Sequence, residues 1–582
     1  MSGISLLMNI ARSALLAQQK GIDVTGHNIA NVNTPGYTRQ KLILQSTDEV
    51  SLARLKLGYG VNADSVVQYC DPFTNRSINQ KTSSVSEYEA KKSVLDSVQS
   101  LFNDEAGIGL NTAMAEFWNA WQELSNNPGG IPERTALLQK AESMGHEFQM
   151  IRNNLSQTKD QMNVNLKGAI EEINTLSEQI AEINQRIVEA ETSGTTANDL
   201  RDQRNNFIEN LSQLTDVTYL EKDNGSLSVF TKSGVALVEG NLFWTLSQQG
   251  DHIYWNNIQN DISGQLTGGK TGAWLDLRDN ILPQYMANLD ELAGTIITQV
   301  NDLHYNHGYT LDGATNRYFF KPLSFPSGAA YGTWSGTSVA SSGGVYANTA
   351  PAGTFQFTVT SVAGVGQVGT DAITLGWTGP GGTSGTINFD SAYMPGTLVN
   401  VSQGLQISLG NGTVVNGNTF SVDVVAGSPC PDYSGAAGDI ALSSDVEDTP
   451  RNIAASTSSD PQAIGNNQNA LAIQALGDEP VSIKKWTYPN QGGIRSSINQ
   501  FGTMDEYYNV LVGDIGMLTD EAGRNQDFYK SMIDQLNEIR DSVSGVNLEE
   551  EMINMMKYQY AFQAASRLVN VSDEMLQALM QM

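Results

Sequence analysis

The 582-residue chain is poor in cysteine, histidine and basic side chains. Its two cysteines, Cys70 and Cys430, lie far apart in sequence and form neither a disulfide framework nor a CxxC metal site. Two thiols do not decide the redox compartment. Lys and Arg total 33 against 62 Asp and Glu, a formal net charge of −29. Such a surface repels phosphate backbones and anionic lipid, so nucleic acid and membrane are not expected partners. Solubility is the plainest reading of the charge. No apolar run reaches the roughly 18 residues that a membrane span needs. The opening Met1–Arg12 stretch lacks a basic segment followed by a long apolar core, so no cleaved Sec leader is expected. A chain of this kind that leaves the cell needs a route that removes no leader.

Catalytic chemistry is also hard to find. Of five histidines only His304 and His307 are close. An i, i+3 pair can share a metal, but no Cys or carboxylate stands at ligand spacing, and a last helical turn ending at Gly308 suits histidines through the helix dipole. Gly379-Pro-Gly-Gly-Thr-Ser-Gly385 has no following Gly-Lys-Ser/Thr and reads as a turn, not a P-loop. No GxSxG elbow appears. Glu549 to Glu551 sit at a helix start, where capping accounts for them. Phe117, Trp118 and Trp121 have helical spacing and read as a core stripe. The expectation is a non-enzymatic chain with no catalytic residue, cofactor or metal.

What the chain does have is long helical periodicity at both ends. Ile4, Met8, Ala11, Leu15, Gln18, Ile22, Thr25 and Ile29 alternate spacings of four and three, a coiled-coil seam with two polar interruptions. One helix over 2–32 would be about 45 Å long and should stop before Thr34-Pro35-Gly36-Tyr37, where Pro35 and Gly36 suit a type II turn. At the other end Asn547 can cap a helix, with Glu550 closing a capping box. The stripe Leu548, Met552, Met555, Tyr558, Phe562, Ala565, Val569, Leu576 and Leu579 follows. A third seam runs from Met144 to Ala190, with one stutter at Thr158–Met162–Leu166. Further helices are expected over about 72–104, 110–126, 197–214, 273–306 and 496–543.

The middle differs. Residues 217–258 alternate in strand fashion around Asp223-Asn224-Gly225. Residues 325–440 are rich in Gly, Thr, Ser and Val, and the period-two runs 354–360 and 419–425 point to an all-β insert of sandwich or barrel type. The fold class is therefore α+β and multidomain: long coiled-coil terminal regions packed together, with an inserted all-β outer domain.

Two segments then carry a resemblance. Ala17 to Tyr37, read as AQQKGIDVTGHNIANVNTPGY, and Ser544 to Leu568, from SGVNLEEE through QYAFQAASRL, look like the shared beginnings and endings of bacterial flagellar rod, hook and junction proteins. Leu124-Ser-Asn-Asn-Pro128 with Arg134, Asn198 to Arg204, Gly268-Gly269 through Asp279, and Leu289 to Ala293 with Asn301, His304 and Gly308 narrow this to the hook-associated protein 1 family. The resemblance covers about 1–310 and 490–582. It implies a secreted subunit that leaves by the flagellar type III export channel and adjoins hook protein, a second junction protein and copies of itself in a helical ring. The terminal helices (1–50 and 540–582) would line an inner tube. A helical rod domain (51–310 and 441–539, with β hairpins at 217–258) and an outer β domain (311–440) would surround it.

The stripes themselves point to assembly, because isolated amphipathic helices are marginal without neighbours. The expected subunit-interface residues are Ile4, Met8, Ala11, Leu15, Ile22 and Ile29 at one end. At the other they are Leu548, Met552, Met555, Phe562, Val569, Leu576 and Leu579. The two ends are expected to be mobile in the monomer and to order on stacking. The C-terminal stripe also suits a cytoplasmic export chaperone. Another axial subunit of hook or filament type, or a secreted adhesin displaying the β insert, remain as alternative readings.

Overall fold

The computed structural model describes residues 2–47, 49–52, 55–58, 60–103, 109–192, 195–256, 260–323, 341–345, 353–395, 399–402, 405–410, 412–424, 433–489 and 495–581. Cys430 lies outside them. The helices are α1 (Ser2–Ala30), α2 (Pro72–Phe102), α3 (Leu110–Asn126), α4 (Ile131–Glu191), α5 (Asn198–Leu214), α6 (Gly269–Asp276), α7 (Leu282–Asp302), α8 (Ala436–Asp439), α9 (Gln468–Ala475), α10 (Met504–Ser544) and α11 (Leu548–Met580). The chain divides into two compact units. The first comprises Met1–Lys91, Val164–Leu275 and Glu521–Met582, and the second Lys92–Asn163 and Asp276–Asp520. The expected block 51–310 with 441–539 contributes to both.

In the first unit α1 packs along α11. The chain then turns at Thr34–Tyr37, where the Tyr37 N–H bonds the Thr34 carbonyl and Gly36 adopts φ +76°. That positive φ is what a type II turn asks of its third residue. An antiparallel hairpin follows, Gln40–Ser46 with Val61–Gln68, bulged between Ile43 and Leu44. Sequence periodicity had given no strands here, because both strands are mostly polar or half-exposed and the period-two signal is weak. The core lies between the C-terminal part of α4, α5 and a four-stranded antiparallel sheet (Val217–Glu221, Leu227–Thr231, Ala236–Glu239, Leu242–Phe243). Ile173, Ile180, Ile208, Leu211, Val229 and Val238 are buried there, each worth roughly 1.5–3 kcal/mol of transfer free energy. The seam expected along α4 is this burial pattern: its members from Met144 to Ile187 are buried except half-buried Thr158, and only Ala190 is exposed.

In the second unit the stripe Phe117, Trp118 and Trp121 is core, with Phe117 and Trp121 packed against Phe319 and Phe320 at centroid distances of 5.2–6.0 Å. The helix expected over 273–306 is interrupted by π-turns at Leu277–Ile281 and Leu303–His307 on either side of α7. The helix expected from 496 begins only at Met504. Ser496–Gly502 is instead a strand paired with Val481–Thr487. The boundary is a capping box: the Thr503 N–H donates to Glu506 Oε2 and the Glu506 N–H to Thr503 Oγ1. Thr503-Met-Asp-Glu506 carries that signal in the sequence.

The β insert forms two antiparallel sheets around one core. Gly353–Val362 pairs with Ile373–Thr378 and Thr419–Val424, and Ser384–Phe389 extends the first strand pair. Leu405–Leu409 lies between Ser341–Val345 and Val399–Ser402. Phe355, Phe357, Leu375, Leu405, Ile407 and Phe420 fill the interior. Gly381 and Gly382, both at positive φ, form the turn expected of the glycine string.

Buried polar side chains of α7 and its π-turn hold the chain on both sides of the insert. Asn301 bonds the Phe319 and Phe320 N–H groups and the Phe320 carbonyl. Asp290 accepts from the Gly435 and Ala437 N–H groups at the start of α8 and from Arg152. His304 lies at 0 % exposure, 2.7 Å from the Arg317 carbonyl and 2.8 Å from the Ala454 N–H. A carbonyl only accepts, so Nδ1 carries the proton and Nε2 accepts. Burial pushes this ring's pKa down to about 4. His307 is exposed. The insert leaves and returns through an antiparallel bridge, Phe320 opposite Leu442.

Candidate assembly surface at the paired chain ends

Small side chains let α1 and α11 approach closely. Ala11, Ala17, Gly21 and Thr25 are buried on α1, and Ala565 and Ser572 on α11. A Cβ on Gly21 would lie 2.7 Å from the Tyr558 ring.

Where the pair meets the rest of its unit, the two end motifs share one hydrogen-bond network. Buried Asn28 donates to Glu551 Oε2 (3.1 Å) and to the Gln40 carbonyl (2.8 Å), and accepts from the Tyr37 hydroxyl (2.8 Å) and the Gln40 N–H. Arg39 pairs with Glu551 at 2.7 Å and with Glu550 at 3.1 Å. Asn547 caps α11 by accepting from the Glu549 and Glu550 N–H groups. The capping box expected of Glu550 does not form, because its carboxylate is engaged by Arg39. The guanidinium offers the Glu550 carboxylate a full positive charge, where the Asn547 N–H offers only a dipole.

The Asn198–Arg204 segment holds the same corner. Asp202 accepts from the Thr38 N–H (3.0 Å), the Thr38 hydroxyl (2.7 Å) and Gln68 (2.8 Å). Burial pushes its carboxyl up to about 6, and burial likewise raises the Tyr37 hydroxyl above its usual range. Arg201 pairs with Glu191 and Glu221, and buried Arg204 reaches the Gly225 carbonyl of the hairpin turn. A polar groove of about 760 Å³, lined by Thr34, Tyr37, Asn75, Asn206, Arg540 and Asn547 among others, opens beside the network. Among the described residues no group of three His, Cys, Asp or Glu side chains is placed to hold a metal, and no helix is long and apolar enough to cross a membrane.

The residues expected at a subunit interface divide. On α1, Ala11 is buried, Leu15, Ile22 and Ile29 are half-buried, and Met8 is exposed. On α11, Met555, Val569 and Leu576 are half-buried, while Leu548, Met552 and Phe562 are exposed. The side chains of Ile4 and Leu579 lie outside the described residues. The large apolar surface left open includes residues that the stripes omitted: Leu16 (54 % exposed), Ile553, Met556, Tyr560 (70 %), Leu568 and Val571. Strict heptad counting selects one face per helix, whereas α11 is apolar on the covered side and the open side alike. Asn28, Arg39, Asp202 and Glu551 were also missed as a set. Only their position inside the two end motifs and the Asn198–Arg204 segment hinted at them.

Comparison with known proteins gives consistent matches along the chain. Residues 95–320 match the family described as flagellar hook-associated protein FlgK helical domain. Residues 8–38 match flagella basal body rod protein, and 541–582 match flagellar basal body rod FlgEFG protein C-terminal. Flagellar hook-associated protein 1 of Bacillus subtilis (strain 168) is 25% identical over 579 residues, 98% of this chain and 96% of that one. The protein of the same name from Escherichia coli (strain K12) is 23% identical over 593 residues, 99% of both. The flagellar hook junction protein FlgK from Burkholderia pseudomallei shares the fold, with a TM-score of 0.55 and 17% identity over 81% of this chain and 100% of that one.

Proposed function

As the chain belongs to the flagellar hook-associated protein 1 family, we infer that it is a structural subunit of the bacterial flagellum that joins hook to filament. One observation carries the mechanical part of the reading. The two end motifs fold into one helix pair, locked to its unit by Asn28, Arg39 and Glu551, while the other side of the pair exposes large apolar residues. A locked base and an uncovered apolar surface are what a subunit needs to dock its ends on neighbours.

In this reading the ends, including the thirteen interface residues named above, line an inner tube. The residues 51–310 and 441–539 form the surrounding rod, and 311–440 points outward. The subunit sits outside the cell after flagellar export, in a ring of its own copies between hook protein and a second junction protein. A cytoplasmic chaperone masks the C-terminal stripe before export. The work is mechanical, and buried Asp202, Asp290, Arg134 and His304 each place at least one hydrogen bond on the chain's own backbone, as groups that hold a fold do.

Electron microscopy of a strain lacking the chain tests the inference. Hooks should persist without filaments, and filaments of normal number and length would overturn it. A copy in which a short linker replaces 325–440 should restore filaments, because the insert departs and returns at paired residues. Loss of filaments with that copy folded and secreted would refute a dispensable insert.

A further inference from the structure

Tyr88 on α2 and Tyr529 on α10 lie far apart in the chain, yet both belong to the first unit and their rings stack there, 5.7 Å between centroids and 15° between planes. Each ring carries a lysine. The Lys91 ammonium stands 5.7 Å from the Tyr88 centroid, and the Lys81 ammonium 5.2 Å from that of Tyr529. Phe528 meets Tyr529 edge-on at 5.3 Å. Aromatic and cation–π contacts of this kind hold the two rings in register. Both tyrosines are half-buried, so the pair is ordered and still open to solvent.

A pair in the second unit supplies the contrast. Tyr305 and Tyr318 are closer, at 4.4 Å and 25°, but they are only 9 % and 5 % exposed. A reagent arriving from solvent reaches Tyr88 and Tyr529 and is kept from Tyr305 and Tyr318. Stacking and access coincide in the first pair and not in the second.

We propose that Tyr88 and Tyr529 form an oxidative cross-linking site, at which a peroxide-driven one-electron oxidant joins them as dityrosine and staples α2 to α10. Each phenol gives up one electron and its hydroxyl proton. The two neutral radicals join through the ring carbons next to their oxygens, and the hydrogens displaced from those carbons return to the oxygens. The pair has then lost two electrons and two protons, which one hydrogen peroxide takes up to become two waters. Rings already stacked need little motion to couple, and this alignment favours them over encounters between chains. The new bond closes a long stretch of chain, so it removes entropy from the unfolded state as a disulfide does.

The test treats the folded full-length chain, at low concentration, with a peroxidase and hydrogen peroxide in a reaction shown to couple free tyrosine. Trypsin then releases Tyr88 in residues 82–91 and Tyr529 in residues 525–530, and neither peptide holds another tyrosine. Mass spectrometry should find these two peptides joined and two hydrogens lighter than their sum, at least about tenfold above any tyrosine pair joined between chains. The denaturant midpoint of the linked chain should rise. Tyr88→Phe and Tyr529→Phe keep both rings and should each abolish the link. A treated wild-type chain in which Tyr88 and Tyr529 stay unjoined overturns the proposal, as does coupling of Tyr305 to Tyr318 in their stead. A link that forms with no rise in the midpoint overturns the staple.

Discussion

The paired ends and the α7 region are built with the same device and differ in what covers it. In both, buried polar side chains grip backbone: Asn28 and Asp202 in the first unit, Asn301, Asp290 and His304 in the second. Around α7 the grip is enclosed by the aromatic core of Phe117, Trp121, Phe319 and Phe320. At the ends it secures a helix pair whose far side is open. Enclosed polar contacts serve stability, while those at the ends also fix the posture of a helix pair whose apolar side is open.

The largest effect should come from breaking the enclosed side. Arg134, 1 % exposed, donates to the carbonyls of Pro128, Pro450 and Ile453, and burial lowers its pKa to about 10. Arg134→Met removes a buried donor from three carbonyls, of which those of Pro450 and Ile453 keep the Ile453 and Ala455 N–H groups as partners, and should cost about 1–3 kcal/mol in denaturant unfolding. A loss below about 1 kcal/mol would show that solvent replaces those bonds.

Acid should move the two regions in opposite directions. His304 has a folded pKa of about 4 against 6.5 for a free ring. Its neutral form therefore contributes stability that is present above pH 6.5 and lost as pH falls through about 4, up to roughly 3 kcal/mol. Asp202 has a folded pKa of about 6 against 3.8. Its contribution is fully present below 3.8 and lost as pH rises through about 6, again up to roughly 3 kcal/mol. Hydrogen exchange at pH 7 and pH 5 should find weaker protection around 317–320 and 454 in acid, and stronger protection around 38 and 202. The same direction of change in both would sink the contrast.

A smaller effect tests the closeness of the helix pair. Gly21→Leu collides with Tyr558 and should destabilise the pair by about 1–3 kcal/mol. Adding Tyr558→Ala should recover much of that loss, and a strictly additive double variant would deny the contact. Smallest in stability is Leu16→Asp on the open side, within about 0.5 kcal/mol of wild type. Its incorporation into flagella should nevertheless fail, and normal incorporation would remove the open surface from the assembly account.

Much of this was legible in the sequence. Long apolar periodicity gave α4 and both terminal helices, Pro35-Gly36 gave the first turn, Asn547 gave the α11 cap, and period-two runs gave the insert. The rest was hidden for physical reasons. The Gln40–Gln68 hairpin lacks a continuous apolar face. The seam of α1 included Ala11 and Thr25 but passed over buried Ala17 and Gly21, whose small size hydrophobic counting undervalues, and it took in Met8, which is exposed. Ser496–Gly502 was absorbed into the following helix because Ile498 and Phe501 mimic helical spacing and the cap at Thr503 was overlooked. The Asn28–Arg39–Glu551 network joins residues more than 500 positions apart, beyond any local pattern.

The bridge between Phe320 and Leu442 has a consequence for how such chains can diverge. Because the strand bridge and the bonds from Asn301, Asp290 and His304 close the neck, the body meets the same two chain ends whatever lies beyond them. Lengthening a closed loop adds only logarithmically to its entropy, about 0.6 kcal/mol per doubling. The neck therefore acts as a socket: modules of very different size, surface and sequence can be exchanged there with little penalty to the body, provided their ends emerge one strand spacing apart. What is displayed beyond the neck can change at this point while the helices of the body stay as they are.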